Sequence, residues 1–382
     1  MKRLCTLLAL CLLLTAVSPI AFAAPLEVKG KSALLMDIAT GTVLFEQNAH
    51  EKLAPASVTK VMTMLLIMEA IDSGKIGWND TVTTSESAAA KGGSQIYLKV
   101  GETMTVTDMV KSIAVSSAND CACAMAEHIA GSEDAFVALM NNRAKELGMA
   151  DTNFVNCTGL DDEENAKEHL TSAYDIALMS RELMKNHPDI QKFTTIWMDT
   201  VRNGEFGLAN TNKLVRFYPG ATGLKTGFTS GAGYCLSATA QRDGMGLIAV
   251  VMGAESSKDR FAACKSMLDY GFANYALVDP QVTEGEVAVK LGKQDAVKAV
   301  PAELVQILID KAQSNQVQIR TELEEEVTAP VSRGQRLGTL TVKVGEQTVK
   351  EVPMIAETGV ERLTWGDVFV MLLRRISMAK EG

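Results

Sequence analysis

The chain has 382 residues, with 37 lysines and arginines against 46 aspartates and glutamates, a formal charge of −9, and an ordinary globular balance of apolar and polar residues. The acidic balance and the lack of any basic stripe that could neutralise phosphates argue against nucleic acid as a partner. The length allows two or so domains and ample buried core.

Residues 1–23 read as an export signal. Lys2 and Arg3 precede a mostly apolar run from Leu4 to Val17, and "AFA" places small residues before Ala24. The run is too short for a membrane span. Cys11 belongs to the discarded peptide, because bulky Leu10 precedes it where lipoprotein processing wants a small residue. The cysteines beyond residue 23, Cys121, Cys123, Cys157, Cys235 and Cys264, are odd in number and widely scattered, which implies no disulfide framework and fits small core hydrophobes.

Next in order, "SALLMDIATGTVLFEQ" reads as two strands around a Thr-Gly turn, and "VTKVMTMLLIMEAIDSG" as a long buried helix closed by Gly74. "TDMVKSIAVSSANDCACAMAEHIAG" predicts two helices broken at the serines. "AGYCLSATAQRDGMGLIAVVMGA" gives two apolar runs joined at "RDG", a hairpin signal, and "DRFAACKSMLDYGFANY" returns to helix. The expected architecture is a sheet flanked by helices. From about residue 278 to 356 the texture changes to short strands, "EVAVKLG", "VQIRTEL" and "LGTLTVKVGEQTVKEVPMIA", with a helix expected at "AELVQILIDKA". This predicts a second, smaller β domain over 278–356, after a first domain over 24–277.

The tail, 357–382, differs again. Leu363, Phe369, Val370 and Leu373 cluster on a helical wheel, Trp365, Val368 and Leu372 widen the apolar face, and Arg362, Arg374, Arg375 and Lys380 supply cations. Periodicity alone fits equally a helix on a lipid surface and one packed on the β domain.

Ser57 and Lys60 stand three apart at the mouth of the first long helix, close enough for an amine to lie beside a hydroxyl. A serine is a poor nucleophile until a neighbour takes its proton, and a desolvated lysine can do so. Ser-x-x-Lys alone is weak, since Ser377 and Lys380 repeat it in the polar tail. Its company is what carries weight. Ser117-Ala118-Asn119 adds a hydroxyl and an amide, and Lys225-Thr226-Gly227 lies on an expected strand. These three elements, in this order, mark penicillin-binding proteins and serine β-lactamases.

With "ALLMDIATGTVLFEQNAHEKLAPAS", "HLTSAYDIA" and "ATGLKTGFTSGAGYCLSATA" in matching order, nearly the whole chain resembles the low-molecular-weight penicillin-binding proteins that act as serine D-alanyl-D-alanine carboxypeptidases of the S11 type. The resemblance implies an α/β (α+β) transpeptidase/β-lactamase-like catalytic domain, with an antiparallel sheet flanked by helices. A smaller all-β domain and a terminal amphipathic helix on the outer face of the cytoplasmic membrane complete the implied fold. It also implies an exported enzyme acting on peptidoglycan stem peptides that end in D-Ala-D-Ala, acylated by β-lactams and using no metal or cofactor. Carried over residue by residue, Ser57 is the nucleophile, Lys60 its base, and Ser117 with Lys225 a proton relay to the leaving amine. The backbone N–H groups of Ser57 and Phe228, the latter following Gly227, form the oxyanion hole. Asn119 holds the substrate amide, and Lys225 and Thr226 receive its carboxylate. Arg260 matches a family arginine near that carboxylate, although an arginine at a helix start is more often solvated. His169 matches a family histidine, read here as a structural hydrogen-bonder.

Two departures stand out. Thr211, in "NTN", occupies a place where some relatives have arginine, and Phe228 one where several have histidine. The same residues also suit a DD-endopeptidase, a serine β-lactamase or a wall-binding module that has lost its chemistry. No "ExxLN" segment of class A β-lactamases is present, and the motif residues are intact. "HEKLA" lacks the second histidine of a zinc protease, and "GATGLKT" lacks the glycine directly before lysine of a phosphate loop. Asn79-Asp-Thr and Asn156-Cys-Thr match glycosylation acceptors but are discounted on the bacterial resemblance.

Overall fold

A computed structural model describes residues 26–161, 165–280 and 284–378, and the export signal read at 1–23 lies outside them. Strands β1 (Ser32–Asp37) and β2 (Val43–Gln47) pair antiparallel around Thr40 and Gly41. A 3-10 turn, Ala56–Thr59, leads into helix α1 (Lys60–Asp72), with Gly74 just beyond its end at φ +73°. The apolar run of α1 has no polar face over most of its length, and the helix is accordingly buried on nearly every side. Helices α2 (Val106–Ser116) and α3 (Asn119–Ala130) are separated at Ser117 and Ala118, as the paired serines suggest.

Helices α4 (Glu133–Glu146) and α5 (Ala173–Asn186) were not anticipated as elements. Each is capped by a serine: Ser132 Oγ accepts from Ala135 N–H, and Ser172 Oγ from Asp175 N–H. Strands β3 (Ala221–Thr229), β4 (Gly233–Arg242) and β5 (Met245–Ala254) follow, with Asp243 and Gly244 at φ +49° and +79° turning the expected hairpin. Helix α6 (Ser257–Asn274) closes this part of the chain.

The five strands form one antiparallel sheet in the order β2-β1-β5-β4-β3. Side-chain alternation splits β1 between two cores: Leu34 and Met36 join the layer built around α1, Ala33 and Leu35 the layer under α6. Covering both faces explains why β1 and β5 read as unbroken apolar runs. Each large aliphatic buried this way contributes about 1.5–3 kcal/mol. The edge strand β3 carries Lys225-Thr226-Gly227, and its Gly227 abuts the Ser57 turn.

The change of texture near 278 corresponds to strand β6 (Tyr275–Val278), which runs directly out of α6. The β domain continues with β7 (Gly285–Lys290), β8 (Ala296–Pro301), β9 (Ile307–Asp310), β10 (Val317–Leu323), β11 (Glu326–Thr328), β12 (Arg336–Val344) and β13 (Gln347–Ala356). Six of these form a sheet in the order β10-β12-β13-β8-β7-β11, with β7 and β11 parallel and the other pairs antiparallel. Its own core includes Val287, Leu340, Val352 and Met354.

The helix expected at "AELVQILIDKA" is not formed. Ile307–Asp310 is strand β9, paired antiparallel with β6, and a 3-10 turn follows at Lys311–Gln316. The alternation of buried Ile307 and Ile309 with less buried Leu308 and Asp310 is the period-two signal that the apolar content masked. This ladder and the Lys311 Nζ to Phe272 carbonyl hydrogen bond of 2.6 Å tie the two halves together.

The chain is held to the β domain as far as Leu363, whose N–H donates to Leu291 O. Helix α7 (Trp365–Met378) then starts at a Thr364–Asp367 cap. Trp365 is 91% exposed, and Phe369, Val370, Met371, Leu372 and Leu373 are also exposed. No helix among the described residues is long and apolar enough to cross a membrane. The side chains of Arg374 and Arg375, and Lys380 altogether, lie outside the described residues.

Candidate active site

Ser57 sits in the 3-10 turn rather than in α1 itself, and residues three apart in such a turn are eclipsed, which brings Lys60 Nζ to 3.0 Å from Ser57 Oγ. Ala56, immediately before the serine, takes a φ of +49°, a strained value for a residue with a Cβ. Three contacts hold it there. A Cβ on Gly159 would fall 1.8 Å from Ala56 O, so only glycine admits this approach. A Cβ on Gly227 would lie 2.7 Å from Pro55 O and 3.1 Å from Ser57 N, so strand β3 also closes on the turn through a glycine. Finally, Thr59 Oγ1 donates to Ala56 O at 2.8 Å.

That threonine is in turn held by His169. Val155 N–H donates to His169 Nδ1 at 3.1 Å, which puts the proton of the neutral ring on Nε2, from where it reaches Thr59 Oγ1 at 2.7 Å. Burial and the nearby Lys60 charge lower the His169 pKa to about 4, so the ring stays neutral at ordinary pH. The structural reading of His169 is the one this geometry supports.

Lys60 is fully buried. Burial pulls its pKa down to about 7, against the smaller opposing pull of Cys157 and Asp120. Its second partner is Thr158 O at 2.7 Å, a contact the sequence analysis missed. The loop presenting that carbonyl is built by Asn156, whose Oδ1 accepts from the N–H groups of Thr158 and Gly159 and whose Nδ2 donates to Leu160 O. Asn156 is 1% exposed and its side chain is employed in the loop. The five cysteines from Cys121 to Cys264 are all buried free thiols, as read.

Ser117 ends α2 in the left-handed region, at φ +62°, and Asn119 opens α3. Asn119 Nδ2 donates to Gly92 O at 2.7 Å, and the adjacent Asp120 accepts from Ile96 and Leu98 N–H groups, fastening the 92–98 loop beside them. Ser117 Oγ and Asn119 Oδ1 are buried with no partner among the described residues. Such atoms cost about 1–3 kcal/mol each when left unpaired.

On β3, Lys225 is buried and its Nζ donates to Thr226 O at 2.9 Å. Burial pulls its pKa well below the usual lysine range, and the Lys60 and Arg260 charges push the same way. Thr226 Oγ1 donates to Thr211 Oγ1 at 2.7 Å. Phe228 is 52% exposed, its ring against Tyr234 at 4.3 Å. Arg260 is not a solvated helix-start residue: it is buried against Tyr234 and Phe261, and Nη1 donates to Gly227 O at 2.8 Å and Cys235 O at 3.2 Å. It braces the Lys-Thr-Gly strand and adds positive potential there.

The fold thus sets Ser57 and Lys60, on the turn and α1, against the Lys225-Thr226-Gly227 strand, and joins that strand through Thr211 to the end of α2, where Ser117 and Asn119 follow. The D-alanyl-D-alanine carboxypeptidase family model, S11 peptidases, matches residues 19–256, and the model of the penicillin-binding protein 5 C-terminal domain matches 275–362. The D-alanyl-D-alanine carboxypeptidase DacF of Bacillus subtilis is 44% identical over 98% of both chains, and DacC of Escherichia coli 34% identical over 90% of this chain and 88% of that one. Among solved structures, penicillin binding protein 5 from Haemophilus influenzae superposes with a TM-score of 0.75 at 30% identity, covering 89% of this chain and all of that one. Penicillin-binding protein D2 from Listeria monocytogenes, solved in an ampicillin-bound form, gives a TM-score of 0.59 at 31% identity over 65% of this chain and all of that one. Similarity of this depth along almost the entire length places the chain among the serine hydrolases of the S11 peptidase family, the D-alanyl-D-alanine carboxypeptidases.

Proposed function

We propose that Ser57 is the nucleophile that attacks the carbonyl between the two terminal D-alanines of a peptidoglycan stem peptide, and that Lys60 takes its proton. The observation carrying this assignment is the buried Lys60 amine, 3.0 Å from Ser57 Oγ, with its pKa pulled down to about 7. A neutral amine offers its lone pair to the serine while an N–H remains on Thr158 O. The tetrahedral oxyanion is received by the N–H groups of Ser57 and Phe228, a reading supported by the close approach of Gly227, the residue before Phe228, to Ser57 N. Lys60 returns that proton through Ser117, with Lys225 as the other member of the relay, to the departing D-alanine amine, and water then releases the acyl group.

Asn119 Oδ1 and Ser117 Oγ, buried without protein partners, are suited to be satisfied by the substrate amide and leaving group. The carboxylate of the terminal D-alanine meets Thr226 and the Lys225 charge, with Arg260 bracing the strand behind them. β-Lactams, which carry a strained amide and a carboxylate, acylate the same serine. This catalytic domain spans 24–277, and the β domain, 278–356, stands between it and a membrane-surface helix within 357–382. The exposed apolar side chains of α7, beyond the last tie to the β domain at Leu363, support attachment to the outer face of the cytoplasmic membrane after export.

The test is intact-protein mass spectrometry of the chain without residues 1–23, incubated with benzylpenicillin and separately with a peptide ending in D-Ala-D-Ala. A persistent adduct that maps to Ser57, absent from Ser57→Ala, together with loss of one D-alanine from the peptide, is the expected result. Rapid penicillin turnover with the peptide untouched would reject it.

A further inference from the structure

The segment Asn210–Asn212 lies between two parts of the site without belonging to any of the three motifs. Its two asparagines are buried and fully engaged: Asn210 Nδ2 donates to Ile196 O at 2.7 Å, Asn210 Oδ1 accepts from Asn212 N–H at 2.8 Å, and Asn212 Nδ2 donates to Gly223 O at 2.8 Å. Thr211 between them is exposed. Its main-chain N–H donates to Val115 O at 3.2 Å, two residues before Ser117, and its hydroxyl accepts from Thr226 Oγ1 at 2.7 Å. One residue therefore joins the end of α2, which carries Ser117, to the β3 strand, which carries Thr226.

We propose that Thr211 is a positioning residue for the carboxylate end of the cleft, fixing the Thr226 hydroxyl so that it can donate to the substrate's terminal carboxylate. The inference rests on the site assignment above. A threonine hydroxyl on a strand has three staggered positions, and an acceptor at 2.7 Å selects one of them. Without a ligand the proton of Thr226 points to Thr211. When a carboxylate arrives, the pair reverses: Thr211 donates to Thr226 Oγ1, and Thr226 donates to the anion. Both protons stay bonded, no bond to carbon changes, and the second hydrogen bond of the chain is strengthened by the first. Because the asparagines and the main-chain bond to Val115 hold the segment without the hydroxyl, replacing that hydroxyl leaves the backbone in place.

The experiment compares the chain without residues 1–23 with Thr211→Val and Thr211→Ser, using a peptide ending in D-Ala-D-Ala. Loss of the hydrogen bond that fixes the Thr226 hydroxyl predicts about a tenfold fall in kcat/KM for Thr211→Val, carried mainly by KM. Thr211→Ser stays within about twofold, since it keeps the hydroxyl, and unfolding midpoints stay unchanged. Thr211→Val behaving as wild type, Thr211→Ser falling equally, a fall in kcat alone, or a fall accompanied by a lower midpoint would each overturn the proposal. Peptide mapping of the penicilloyl adduct separates the two levels. An adduct at Ser57 with indifferent kinetics rejects only the role of Thr211, whereas a wild-type adduct elsewhere rejects the site assignment and this inference with it.

Discussion

At the scale of single residues, the site depends on groups that are kept in unfavourable states by their neighbours. His169 is a case with a measurable pH signature. Its folded pKa, about 4, lies below the ordinary value of 6.5, so the unfolded chain takes up a proton first as pH falls. The stability this histidine contributes is full above pH 6.5 and is lost progressively down to pH 4, amounting to about 3 kcal/mol. Chemical denaturation between pH 7 and 4 should show that loss in the wild type and a shallower slope in His169→Gln, which cannot titrate. Gly159 is the second case. Its φ is +80°, and a Cβ there would overlap Ala56 O, so Gly159→Ala is expected to cost about 2–4 kcal/mol in urea unfolding and to slow penicillin acylation, because the serine turn must shift.

At the scale of elements, much of the catalytic half could be read from the sequence. The β1–β2 pair, the buried α1, the break at Ser117 and the β4–β5 hairpin each carry a local signal: a Thr-Gly turn, an unbroken apolar run, paired serines, or Asp-Gly. The three motifs were legible because each needs a fixed residue type at short spacing. What escaped was of two kinds. Strand β9 looked helical because Leu308 between its two buried isoleucines hid the alternation, and its partner β6 lies about 30 residues earlier, beyond any local window. Thr158, Gly159 and Thr59, and the contact of Thr211 with Thr226, escaped for a different reason: they reach Ser57, Lys60 and Thr226 through carbonyls, close approaches and hydroxyls brought together by the fold. Helices α4 and α5 did leave a trace in their serine caps, Ser172 with Asp175 most plainly.

At the scale of the whole molecule, the proposed function assigns chemistry and placement to different parts of the chain. The catalytic sheet buries both faces, the β domain has its own core, and α7 emerges past Leu363 with its apolar side chains uncovered. Truncation after Leu363 leaves the ties of the β domain intact, so the shortened chain should keep wild-type kcat/KM on a soluble peptide. Sedimentation with phosphatidylglycerol vesicles should recover the chain lacking only 1–23, and not the truncated one. Equal recovery of both would show that α7 is not the attachment.

The central claim is that Lys60, made neutral by burial, activates Ser57. The most direct test is the single-turnover rate of acylation by benzylpenicillin as a function of pH. The structure predicts a rate that rises through one ionisation near pH 7 and then levels, as the amine loses the proton that burial has already loosened. A rate that is flat from pH 5 to 9, or that rises only where an ordinary lysine titrates, would contradict it.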